Sequence, residues 1–179
     1  MEAFADEAHG DQTRKYTPDR YIVHPVRVMK ICSQYTDHVE VLAAALLHDV
    51  LEDTPIDKAT MQQFLNGIMN PQQASRTVSL VVALTDVYVK KNYPQLNRDK
   101  RKALELRRIE KTGSDAQTIK YADILDNSAE ILQYDRGFGK RFLTECKAIL
   151  TAADQGDPAL RGKALEVVNQ GLDSFRKNR

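Results

Sequence analysis

Apolar side chains recur every three to four residues along almost the whole chain, and no stretch bounded by turn residues alternates strictly between apolar and polar. That period describes one buried face of an α-helix, so the chain is expected to be all-α. Its 179 residues are enough for one domain with a real hydrophobic core, expected to cover 1–179.

Punctuation residues divide the pattern. A first helix over Glu2–His9 is ended by Gly10, and the polar stretch DQTRKYTPDRY then reads as a loop. A second helix begins at His24, where Pro25 suits the first turn because its missing N–H needs no partner there. The third opens on Asp37 with Glu40 three residues on, a capping-box pattern, and runs to about Leu51. Helices over Asp57–Ile68 and Pro71–Leu84 follow, the second turning Val78, Val81, Val82 and Leu84 to the core. The polar connection TDVYVKKNYPQLN is longer than most and is expected to line a site. Arg98–Lys111 forms a charged helix ended by Gly113. Ser114 caps the next, with Gln117 at its capping-box position, through DAQTIKYADILDNSAEIL. Two last helices cover about 136–152 and 158–175.

Charge excludes some functions. Lys and Arg number 26 against 25 Asp and Glu, interleaved along the chain, so no polybasic surface argues for nucleic acid. The amino-terminal MEAFADEAHG is acidic where a secretion signal is basic, and no apolar stretch approaches the roughly 20 residues that cross a bilayer. Cys32 and Cys146 match no metal or redox spacing and read as buried free thiols. A soluble cytoplasmic protein with a small-molecule partner, neither nucleic acid nor membrane, is expected.

One segment breaks the apolar pattern: VEVLAAALLHDVLEDT ends in His48, Asp49, Glu52 and Asp53. Burying an unpaired charge is costly, so the cluster is either the solvated end of a helix or the grip on a cation. An imidazole and a carboxylate do not fill a coordination sphere. His24, at the mouth of the second helix, and Asp123, among Ile119, Ala122, Ile124 and Leu125, are the candidates to complete it. Two imidazoles and two carboxylates with room for water suit Mn²⁺ or Fe²⁺ better than structural zinc, with Mn²⁺ the first choice. Such an ion equips a protein for phosphate-ester hydrolysis.

His24, the dipeptide His48-Asp49 and Asp123 resemble the H…HD…D pattern of the HD-domain metal-dependent phosphohydrolases. More narrowly, AHGDQTRKYTPDRYIVHP, AALLHDVLEDT and IKYADILDN, within residues 9–127, are similar to the hydrolase domain of Rel/SpoT proteins and the small alarmone hydrolases. The resemblance implies an HD-type helical bundle around a central metal site, and the helices over 136–175, beyond the motif blocks, are expected to pack on it. It implies ligation of a divalent metal by His24, His48, Asp49 and Asp123, and catalytic roles for Glu52 and Asp53, which orient the attacking water and move protons. It implies that Arg14 and Lys15 hold the nucleotide base and phosphates and that Asn127 lies on the ribose side. The implied reaction removes the 3′-pyrophosphate from guanosine 3′,5′-bis(diphosphate), ppGpp, or a related alarmone. Another nucleotide phosphohydrolase activity, phosphomonoesterase or triphosphohydrolase, and a nucleotide-binding module without turnover are the alternatives.

Overall fold

The computed structural model describes residues 1–177 and forms ten α-helices among them. They fall into two compact units, Met1–Thr85 and Asp86–Arg179. The all-α expectation holds, with a single isolated bridge pair, Thr13 with Arg20, among the described residues.

The first unit contains α1 (Glu2–His9), α2 (Val23–Cys32), α3 (Val39–Leu47), α4 (Val50–Asp53), α5 (Lys58–Asn66) and α6 (Pro71–Leu84). At its centre is α3, whose Val41, Ala43, Ala44, Ala45 and Leu47 are all buried. A helix apolar on nearly every side must be enclosed, and α3 packs against both α2 and α6. Small alanines let those neighbours approach closely. Val28 and Cys32 of α2 and Ala74, Val78 and Val81 of α6 close the core. Phe4 of α1 stacks on Phe64 of α5, ring centroids 3.9 Å apart.

The third helix departs from expectation at both ends. Asp37 does not cap it; His38 is the N-cap residue, without a side-chain bond, and Glu40 turns away to pair with Arg76 of α6 at 3.3 Å. At the other end α3 stops at Leu47 rather than near Leu51, and the chain resumes as α4 after the His48-Asp49 step. His48 Nδ1 lies 2.8 Å from the Ala45 carbonyl, the acceptor that a continuing helix would offer to the Asp49 N–H.

Val82 is also a correction. It is 41% exposed, and the buried face of α6 is Ala74, Thr77, Val78, Val81 and Leu84. Gly10 has φ +56°, as a glycine past a helix end can, although its ψ of −125° is not that of the left-handed helix. The loop that follows is clasped: Arg14 N–H donates to Asp19 O at 2.9 Å and Tyr21 N–H to Gln12 O at 2.9 Å.

The second unit contains α7 (Arg98–Glu110), α8 (Ser114–Tyr134), α9 (Arg136–Ala152) and α10 (Pro158–Lys177). Helices α8, α9 and α10 pack on one another, and α7 packs on α9. Ser114 is the first residue of α8 rather than its cap, and Gln117 is buried instead of closing a capping box. The Gln117 amide donates to Thr112 O at 2.9 Å, while its oxygen accepts from Tyr121 Oη and from Gln155 N–H. Burial won over capping because this amide joins the α7–α8 and α9–α10 turns. The connection over 85–97 is non-helical, as expected, and is held by Glu105, whose Oε2 accepts from Val87 and Tyr88 N–H.

Candidate metal centre

The break between α3 and α4 brings the charged residues together. His24, in the first turn of α2, has Nε2 3.6 Å from Asp49 Oδ2, and His48 Nε2 lies 3.1 Å from the same oxygen. One ligand atom from each of the three lies within 4.8 Å of the others. The imidazoles are almost fully buried, whereas the Asp49 carboxylate keeps access to solvent.

Tautomerism tests whether a cation fits. A carbonyl oxygen only accepts, so the contact with Ala45 O puts the hydrogen of a neutral His48 on Nδ1 and leaves Nε2 with a lone pair. That lone pair faces a carboxylate oxygen 3.1 Å away, a contact satisfied either by a second proton on the ring or by a cation held between the two atoms. Two imidazole nitrogens and a carboxylate oxygen around one point fit a divalent transition metal.

Asp53 joins this group through a residue that the sequence reading passed over. Tyr21 Oη is 2.7 Å from Asp49 Oδ2 and 3.2 Å from Asp53 Oδ2. Burial first, then the negative charge of Asp49, drives the Tyr21 phenol far above its ordinary pKa, so it remains a donor at any physiological pH. Partial burial and the Asp49 charge raise the Asp53 carboxyl as well, opposed by the Tyr21 hydrogen bond. Glu52 lies exposed on α4, one residue earlier. The signal for Tyr21 was its place three residues before His24, at the turn that opens α2; a loop composition concealed it.

Arg14 is buried, with its guanidinium 5.3 Å from the centre of the Tyr21 ring, while Lys15 is exposed and donates to Tyr16 Oη at 2.8 Å. His9 is buried and stacks on Tyr21 with centroids 4.4 Å apart. His38 is exposed. Asp123 and Asn127 belong to the second unit, on α8. There Asp123 Oδ2 accepts from Lys120 Nζ at 2.8 Å and Oδ1 from Asn127 Nδ2 at 2.6 Å. Both line a cavity of about 160 Å³ together with Lys102, Lys120, Phe142 and Glu145.

The HD domain family matches residues 21–128 of this chain. The chain belongs to the HD domain family. Over 52 residues this HD domain is 54% identical to the guanosine-3′,5′-bis(diphosphate) 3′-pyrophosphohydrolase of Aquifex aeolicus, a match covering 28% of this chain and 7% of that protein. Over 59 residues it is 48% identical to the bifunctional (p)ppGpp synthase/hydrolase SpoT of Escherichia coli K12, covering 33% of this chain and 8% of that protein. The matches thus span less than a tenth of either relative's length.

Among solved structures, this HD domain is similar to a metazoan ortholog of SpoT that hydrolyses ppGpp and plays a role in starvation responses. The TM-score is 0.77 at 27% identity, over 96% of this chain and 93% of that one. A protein of Listeria monocytogenes shares the fold at TM-score 0.62 and 22% identity, over 89% of this chain and 99% of that one.

Proposed function

We propose that this HD domain is a Mn²⁺-dependent cytoplasmic hydrolase that removes the 3′-pyrophosphate from ppGpp or a closely related alarmone, and that residues 1–179 act as one catalytic domain. The observation that carries this reading is the His24, His48 and Asp49 cluster with Asp53 tied to it through Tyr21. The HD match runs across the boundary between the two units, and ppGpp hydrolysis is the activity named for relatives and for the metazoan structural neighbour. Two buried free thiols suit a reducing compartment.

His24, His48 and Asp49 are the proposed ligands, with Asp123 added as a fourth on the strength of the sequence motif. A divalent ion held there would supply a Lewis acid and would acidify a water bound to it. Glu52 and Asp53 orient the attacking water and carry its proton. Burial and the Asp49 charge raise the Asp53 carboxyl from its ordinary value, the direction that favours its holding a proton. Arg14 is the proposed contact to the base, since a guanidinium already resting on an aromatic ring can stack on a purine, with Lys15 on the phosphates. Asn127 is the proposed ribose contact.

The test is a product analysis. Metal-loaded protein is incubated with ppGpp, its adenine analogue, nucleoside triphosphates and the 2′-, 3′- and 5′-monophosphates, and products are separated by chromatography. Pyrophosphate released from a 3′,5′-bis(diphosphate) is the expected outcome. Orthophosphate released from monophosphates alone would replace the reading with a phosphomonoesterase.

A further inference from the structure

Three residues outside the proposed ligand, catalytic and substrate-binding set enclose the same carboxylates. Gln12 is bonded on both sides, its Nε2 donating to the Asp53 main-chain carbonyl at 2.8 Å and its Oε1 3.0 Å from His9 Nδ1. Because the carbonyl only accepts, the amide nitrogen must face Asp53 and the amide oxygen His9, which puts a hydrogen on His9 Nδ1. The His9 ring lies over Tyr21 at an interplanar angle of 27°, and Tyr21 Oη reaches both Asp49 and Asp53. The contacts close a circuit: His9 to Gln12 to the Asp53 main chain, and His9 to Tyr21 to the Asp53 side chain.

His9 is 3% exposed, and among the described residues its Nε2 has no hydrogen-bond partner, an arrangement that disfavours folding. The Tyr21 hydroxyl has one hydrogen for two carboxylate oxygens, and it serves Asp49 at the shorter distance. The two carboxylates therefore share a single donor.

We propose that His9, Gln12 and Tyr21 form a bracket that fixes the Asp53 carboxylate against Asp49, making Tyr21 a positioning residue for both metal loading and turnover. The turnover half rests on the hydrolase reading above; the metal half rests on the geometry alone.

Full-length Tyr21→Phe and Gln12→Ala test it. Tyr21→Phe keeps the ring on His9 and loses only the hydroxyl. Its Mn²⁺ affinity, read by electron paramagnetic resonance without nucleotide, falls on the order of 10-fold, and kcat falls on the order of 10- to 100-fold with KM little changed. Gln12→Ala touches Asp53 but no proposed ligand, so it lowers kcat while Mn²⁺ affinity stays at the wild-type value. That split separates positioning from a general loss of structure. Wild-type affinity in Tyr21→Phe overturns the bracket, as does a parallel loss of affinity, turnover and melting temperature in Gln12→Ala. If the wild-type protein turns over no nucleotide, the hydrolase reading fails, and the affinity of Tyr21→Phe still decides the metal half.

Discussion

His48 shows how one hydrogen bond sets a site's chemistry. Its Nδ1 is committed to Ala45 O, so Nε2 is the atom left for a cation beside Asp49. Asp49→Ala is expected to lose Mn²⁺ and activity together, whereas Glu52→Ala keeps the metal and loses most turnover; metal content and kcat on the same preparations check both. Asp123 divides two accounts, because its oxygens are engaged by Lys120 and Asn127. As a ligand, Asp123→Ala weakens Mn²⁺ binding at least 10-fold, whereas unchanged binding would reduce Asp123 to an ion pair. Cys146 gives a simpler test, since burial pushes its thiol up to about 12. It stays protonated at pH 8, so alkylation there should be slow until denaturant exposes it. The His-Asp dipeptide was legible in the sequence because ionisable residues ended an apolar run. Tyr21 was not, because a tyrosine in a polar loop carries no sign of which carboxylates it will meet.

Helix boundaries were legible where side chains act on their own backbone. Asn70 followed by Pro71 marks the start of α6, and Asn70 Oδ1 accepts from Gln73 N–H at 2.9 Å. Asn70→Ala should cost about 1 kcal/mol in a denaturant titration. Asp57 plays the same part for α5, and the Thr60 N–H holds its carboxyl below the usual range. A depressed folded pKa contributes stability that is present above the unfolded value of about 3.9 and is lost as pH falls through the folded one. The melting-temperature difference between wild type and Asp57→Ala should therefore shrink below roughly pH 4. Boundaries were misread where tertiary partners decided them. The apolar pattern continues through His48, so nothing local announced that α3 ends at Leu47, and Gln117 left its capping position for a buried network. The turn between α9 and α10 was read correctly, yet what fixes its Gly156 is tertiary: a Cβ there would stand 2.4 Å from Tyr121 Cε2 and 2.8 Å from Thr118 N. Gly156→Ala should destabilise by about 1–3 kcal/mol, read from the same titration.

Across the whole molecule, fold class and family were legible because helical period and three motif blocks are long-range patterns. The division into two compact units was not drawn from the sequence, although charge shifts there: residues 1–85 carry 18 charged side chains and residues 86–179 carry 33. Among the described residues no helix is long and apolar enough to cross a membrane. A ligand that binds only the folded chain stabilises it, by about 2.7 kcal/mol at one hundred times its dissociation constant. Mn²⁺ should accordingly raise the melting temperature of the wild type and leave that of Asp49→Ala where it was. The central claim, that the His24, His48 and Asp49 cluster is a metal centre for removing a 3′-pyrophosphate, is tested most directly by following ppGpp with phosphorus NMR. Metal-stripped, Mn²⁺-restored and Asp49→Ala protein are compared in parallel. The account predicts GDP and pyrophosphate in equal amounts from the Mn²⁺-restored wild type alone; equal turnover by the metal-stripped protein, or none after Mn²⁺ is restored, would contradict it.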